Sequence, residues 1–202
     1  MMKKVLVVQS SVSGSKGQSN QLMEQFIAAL PAGFVRQNLD LLAENYPHLS
    51  MAEIAAWQVP AQSRQPEQAT LAALSDEAIA QVVDADVILL GVPMYNFGVP
   101  SQLKAWFDRL ARAGVTFKYT EQGPVGLLSD KPVIVFATRG GIYQGSPADS
   151  QTPFVKNFLN FIGLKNVHFI YAEGLNMGAD SAAQALTAAA AQIQVLSSHL
   201  AA

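Results

Sequence analysis

Three short stretches concentrate the residue types that bind small molecules. The first is Ser10-Ser11-Val12-Ser13-Gly14-Ser15-Lys16-Gly17-Gln18-Ser19, which runs into a helical pattern. Hydroxyls and backbone N–H groups at a helix amino terminus form an anion site, because unpaired amides and the helix dipole both favour negative charge. The stretch lacks the Gly-x-x-x-x-Gly-Lys-Ser/Thr of a Walker loop and the Gly-x-Gly-x-x-Gly of a dinucleotide loop. What remains suits a monophosphate held by serines and amides. The same residues also make an ordinary Ser/Gly turn with Ser19 as helix N-cap. The second stretch, Gly91-Val92-Pro93-Met94-Tyr95-Asn96-Phe97-Gly98-Val99-Pro100, sets two aromatics, a methionine and an asparagine between prolines. A stiff loop of this kind lays amides and apolar faces along a flat ring, or else packs on the helix that Pro100 introduces. The third, Thr138-Arg139-Gly140-Gly141-Ile142-Tyr143, has paired glycines that let backbone approach a ligand. Arg139 is expected to bring positive charge near electron-rich ring atoms; the alternative is a turn with a surface arginine.

The elements around these stretches place all three on one edge. Apolar runs at 5–8, 87–90, 133–136 and 167–171 and an alternating stretch at 34–39 read as strands, and those at 5–8, 87–90 and 133–136 are unbroken enough to be buried on both faces. Helical patterns run over 20–30, 66–83, 100–112, 153–162 and 181–200. Alternation of this kind implies βαβ crossovers and a parallel sheet with helices on both faces. Five strands predict an α/β, flavodoxin-like, doubly wound sheet in the order 2-1-3-4-5, with ligands outside the carboxyl ends of the strands. All three stretches leave such ends. Residues 41–65 show no strong period and hold Tyr46, Trp57 and Pro60, so they read as a long excursion. No linker or repeat divides the chain, and a single domain over 1–202 is expected.

With those residues in view, a resemblance becomes specific. Pro93-Met94-Tyr95-Asn96-Phe97-Gly98-Val99-Pro100, then Leu103-Lys104-Ala105-Trp106-Phe107-Asp108-Arg109, resembles the bacterial FMN-dependent, NAD(P)H-using azoreductases, relatives of NAD(P)H:quinone reductases. Residues 114–121, Gly123-Pro124, Thr138-Arg139-Gly140-Gly141 and Ala172-Glu173-Gly174 follow in the family's order, so the likeness covers nearly the whole chain. It implies tightly bound, non-covalent FMN. Its phosphate would be contacted by Ser11 and by Gly17, Gln18 and Ser19, Gly17 standing where relatives often have serine. Met94, Tyr95, Asn96 and Phe97 would wrap the isoalloxazine edge. Thr138, Arg139, Gly140 and Gly141 would meet its pyrimidine side. Tyr119 and Phe161 would help wall the face where nicotinamide and acceptor bind in turn, with Trp57 a weaker candidate and Arg139 a third pocket residue. Relatives often carry histidine where Tyr143 follows Ile142, so no histidine proton donor is expected there. The implied activity is two-electron, ping-pong transfer from NAD(P)H through FMN to quinones and azo compounds, in a homodimer whose pockets are completed by the partner subunit. No side chain is expected to be catalytic in its own right, since the flavin carries the chemistry. A flavodoxin-type electron carrier is the alternative.

Composition agrees with a small-molecule enzyme. The chain has 202 residues, half of them hydrophobic and 14% charged, with a formal net charge of −2. That balance gives no electrostatic case for nucleic acid or an anionic membrane. There is no cysteine, and His48, His168 and His199 show no ligand spacing, so no metal site is expected. No signal-peptide pattern and no run near about 20 apolar residues are seen, which leads to the expectation of a cytoplasmic protein.

Overall fold

The computed structural model describes residues 2–200. Five strands, β1 (Lys3–Gln9), β2 (Phe34–Asp40), β3 (Val87–Pro93), β6 (Val133–Thr138) and β7 (Val167–Ala172), form one parallel sheet in the order β2-β1-β3-β6-β7. In the numbering of its own strands this is the predicted 2-1-3-4-5 order. Every residue of β3 and β6 is buried, as their unbroken apolar runs require.

Alternation along β1 sorts the core into two layers. Val5 and Val7 face α1 (Gln18–Ala29) and α7 (Ala179–His199), packing with Leu22, Met23, Phe26 and Ile193. Leu6 and Val8 face the opposite layer of α4 (Pro66–Asp84), α5 (Ser101–Leu110) and α6 (Gln151–Ile162), with Val82, Trp106, Phe107 and Leu159. Register then decides where the loops emerge. Pro93 pairs with Thr138, and Thr138 with Ala172, so the chain leaves β3, β6 and β7 at one level.

Two segments differ from the sequence expectation. The excursion at 41–65 is ordered by α2 (Leu41–Glu44) and α3 (Met51–Gln58). A capping box starts α3: the Ser50 hydroxyl accepts from the Glu53 amide and the Glu53 carboxylate accepts from the Ser50 amide. Glu53 also binds Arg109 of α5 at 2.6 Å, with both side chains buried, and Arg109 donates to the Pro47 carbonyl at 2.9 Å. That guanidinium lies 5.6 Å from the Tyr46 ring centre, and burial, with Glu44 and Glu77 nearby, pushes the Tyr46 phenol up to about 12. The excursion is therefore a strap bolted to α5 rather than a loose loop. The second unforeseen feature is a hairpin of β4 (Phe117–Thr120) and β5 (Gly123–Gly126). It lies on the carboxyl end of α6, so closely that a Cβ on Gly126 would sit 2.1 Å from the Gly163 nitrogen.

Candidate functional site

The serine-rich segment opens onto the uncapped start of α1. Gly17, not Ser19, is the N-cap, and no side chain caps the helix or places negative charge in its first turn. The first helical bond runs from the Gln21 amide to the Gly17 carbonyl, which leaves the amides of Gln18, Ser19 and Asn20 pointing outward. Ser19 is fully buried and its Oγ has no partner among the described residues. A buried hydroxyl without a partner costs about 1–3 kcal/mol, so an anion that accepts from it would satisfy helix and side chain together. Ser11 is buried beside it, its Oγ 3.3 Å from the Tyr95 hydroxyl and accepting from the Ser13 amide. A Cβ on Gly17 would stand 2.2 Å from that Oγ, so the Ser11 hydroxyl fills the space that a serine at 17 would use. Ser10 has a purely structural task, donating to the Gly91 carbonyl at 2.6 Å.

The loop after β3 is a tight turn. Tyr95 and Gly98 exchange backbone hydrogen bonds of 3.1 and 2.9 Å, and Asn96 and Phe97 between them have φ of 49° and 65°. Positive φ at both central positions makes a turn of type I′ geometry, costly for phenylalanine and of the kind held at functional sites. The Met94 amide donates to the Thr138 carbonyl at 2.9 Å, joining this loop to the one after β6. The amides of Asn96, Phe97, Gly140 and Gly141 donate to no acceptor among the described residues. Met94, Asn96, Phe97, Gly140, Gly141, Tyr143 and Asn176 line a cleft of about 340 Å³. Four unpaired amides on residues that line one cleft, joined to the helix start through the Ser11–Tyr95 contact, fit the donor needs of a flavin mononucleotide.

Arg139 corrects an expectation. Its side chain is fully buried and points away from the cleft: Nη2 donates to Asp149 at 2.9 Å and Thr152 at 2.8 Å, Nη1 to Glu173 at 3.0 Å and Nε to Gln151 at 3.2 Å. Two carboxylates neutralise it, so it supplies shape rather than charge. Burial raises the Asp149 carboxyl, but the Thr152 amide and hydroxyl and the Arg139 guanidinium outweigh this and hold it below the usual carboxylate range. Glu173 passes the fixation outward by accepting from the amides of Tyr143 at 2.9 Å and Gln144 at 3.0 Å. Gln151 does the same toward the other loop, donating to the carbonyls of Pro93 at 3.0 Å and Gly98 at 3.3 Å, while the Ser150 hydroxyl donates to Phe97. Glu173 and Gln151 carry no local signal as site-builders because most of their partners are 29 or more residues away.

Tyr119 and Phe161 are not brought to this cleft within one chain. Both contact Phe117, with ring centres 5.6 and 4.2 Å apart. Phe161 is ten residues along α6 from Gln151, about 15 Å at the helical rise. Tyr119 is 73% exposed, on the hairpin that also exposes Val125. Trp57 is likewise elsewhere, half-buried on α3 with the Arg112 guanidinium 5.9 Å from its ring. Among the described residues no cluster of side chains could hold a metal ion.

Comparison with known proteins fits this geometry. A model of the flavodoxin-like fold matches residues 3–196. The chain is 52% identical over 181 residues to the FMN-dependent NADH:quinone oxidoreductase of Cellvibrio japonicus (strain Ueda107), covering 88% of this chain and 90% of that one. It is also 52% identical, over 183 residues, to the protein of the same name from Alteromonas mediterranea (strain DSM 17117 / CIP 110805 / LMG 28347 / Deep ecotype), covering 90% and 92%. The crystal structure of the azoreductase from Bacillus anthracis str. Sterne superposes with a TM-score of 0.87 at 30% identity, over 97% of this chain and 99% of that one.

Proposed function

Because the chain belongs to the family of the flavodoxin-like fold, matched over residues 3–196, we propose that it is an FMN-dependent NAD(P)H oxidoreductase acting on quinones and azo compounds. The observation that carries this reading is the set of unpaired amides of Asn96, Phe97, Gly140 and Gly141 around one cleft beside the orphaned Ser19 hydroxyl. Bound FMN would supply the two-electron redox chemistry between NAD(P)H and the acceptor, one turnover for a quinone and two for cleavage of an azo bond to two amines.

The protein's part is binding and orientation. The hydroxyls of Ser11 and Ser19 and the amides of Gln18 and Ser19 would hold the phosphate, where the helix dipole favours its charge, while Gly17, whose amide is engaged with the Gly14 carbonyl, turns the chain into α1. Met94, Tyr95, Asn96 and Phe97 line the ring edge, the left-handed turn turning the Asn96 and Phe97 amides outward. Thr138 and the main chain of Arg139 continue β6 into Gly140 and Gly141, whose amides meet the pyrimidine side as neutral donors aimed at developing negative charge. Gln151 and the Arg139–Glu173 pair tie both loops to α6, so the donors are set in place before any ligand arrives.

Homodimerisation belongs to the same proposal. Tyr119, Val125 and Leu127 expose apolar surface on the hairpin, and Phe161 lies beneath it. A partner subunit would cover that surface and bring Tyr119 and Phe161 over the neighbouring cleft as walls for nicotinamide and acceptor. The expected setting is the cytoplasm, where NAD(P)H is regenerated, without nucleic-acid or membrane partners; no described helix is long and apolar enough to cross a membrane.

The test is the absorbance spectrum of the purified protein with FMN added, then NADH or NADPH, then menadione or methyl red. Flavin bands that bleach with reductant and return with acceptor support the reductase. Bound flavin that neither nucleotide bleaches returns the carrier reading.

A further inference from the structure

With the Arg139 guanidinium engaged in the core, the glycine side of the cleft needs another polar group to answer charge on a bound ring. The loop after β7 supplies one. It runs along the glycine pair, donating from the Gly174 amide to the Gly141 carbonyl at 2.9 Å, from Leu175 to Arg139 at 3.1 Å and from Asn176 to Gly140 at 3.0 Å. These bonds fix the Asn176 backbone against Gly140. Its side chain then folds over that residue, with Nδ2 2.6 Å from the place a Gly140 Cβ would take. Asn176 is exposed, lines the cleft, and makes no side-chain hydrogen bond among the described residues.

We propose that Asn176 is a cofactor-binding residue whose carboxamide pairs with the imide edge of the flavin pyrimidine and sets the reduction potential. The inference rests on the FMN reading above. The chemistry of the edge favours it: carbonyl, N–H and carbonyl alternate there, and a carboxamide offers donors and an acceptor side by side. A quinone or an apolar dye ring presents no such alternation. Two-electron reduction adds negative charge to this edge, so a donor N–H stabilises the reduced ring more than the oxidised one. With no Lys or Arg among the described residues that line the cleft, the neutral donors carry that preference, and Asn176 holds the one that a substitution can remove.

Wild type, Asn176→Ala and Asn176→Asp separate the possibilities. The FMN dissociation constant is read from quenching of flavin fluorescence, and the midpoint potential by equilibration with a reference dye. Asn176→Ala should weaken FMN about fivefold and lower the reduced-over-oxidised affinity ratio about tenfold, which for a two-electron couple is about 30 mV toward the negative. Asn176→Asp, which sets a carboxylate against the same edge, should shift the potential further in that direction. Thermal unfolding of the FMN-free proteins should be unchanged, since the side chain is exposed. If wild type binds FMN and both variants keep its affinity and potential, the inference fails while the functional reading stands. A potential for Asn176→Asp no lower than that for Asn176→Ala also overturns it. A wild-type protein that binds no FMN overturns the functional reading and this inference together.

Discussion

Replacing Arg139 by methionine should unfold the scaffold beneath the cleft rather than merely retune it. The guanidinium is fully buried and is bonded to Asp149 and Glu173, whose side chains are only 6% and 10% exposed, as well as to Thr152 and Gln151. Methionine fills most of the volume but strands both carboxylates, and removing one partner of a buried pair costs about 3–5 kcal/mol. At about 2–4 °C per kcal/mol for a chain of this size, the midpoint of thermal unfolding falls by about 6–20 °C. Circular dichroism of the FMN-free protein measures this directly. The pH dependence adds a second check. In wild type the Asp149 carboxyl is held below its ordinary value of 3.8, so it contributes stability at neutral pH that is lost as pH falls through its folded value. Without the guanidinium much of that depression goes, and the variant has less to lose on acidification. The gap between the two proteins should therefore hold from neutral pH to about pH 5 and narrow as the pH falls further. A variant within about 1 kcal/mol of wild type at neutral pH, or a gap that does not narrow, would refute the scaffold role.

Other outcomes follow from single contacts. Ser19→Ala removes a buried hydroxyl without a partner, so the FMN-free protein should be no less stable, while FMN affinity by fluorescence titration falls about tenfold, near 1.4 kcal/mol. Gly91→Ala would set a Cβ 2.7 Å from Met23 Cε and 3.4 Å from Ser19 Oγ. Denaturant unfolding should show a loss of about 1–3 kcal/mol, with weaker FMN binding as the start of α1 is displaced. At position 97, where φ is 65°, Phe97→Gly should be more stable than Phe97→Ala by about 1 kcal/mol in the same assay, because only glycine adopts that backbone without strain. Ser50→Ala breaks the capping box of α3 and should cost about 0.5–2 kcal/mol without changing FMN affinity.

The sheet order was legible because its strands are local runs of β-branched residues and their crossovers obey one handedness. The loops were legible for a related reason: glycines, serines and prolines at strand ends change the backbone where they stand. What escaped was built from distant partners. The polarity of Arg139 suggested a ligand contact, yet Asp149 and Glu173, 10 and 34 residues away, draw it into the core. The strap at 41–65 hid because its order comes from Arg109 gripping Glu53 and the Pro47 carbonyl, not from an apolar period, although the Ser50-x-x-Glu53 signature was there to be seen. Asn176 escaped for want of any local pattern; three main-chain bonds across to residues 139–141 place it.

The cradle at the sheet edge is made chiefly of main-chain N–H groups, which every residue except proline possesses. Apart from the Ser11 and Ser19 hydroxyls and the Asn176 carboxamide, its donors therefore survive exchange of the side chains around it. The Gly17 amide is engaged with the Gly14 carbonyl, so Gln18, Ser19 and Asn20 supply the N–H groups there, and Tyr143 stands on a loop fixed through its own N–H rather than its ring. Side chains over the cleft are free to diverge and alter which electron acceptors are taken, while the frame of Gln151, Glu173 and Arg139 preserves the geometry beneath. Such a separation lets new substrate preferences arise by a few surface exchanges without first losing the flavin.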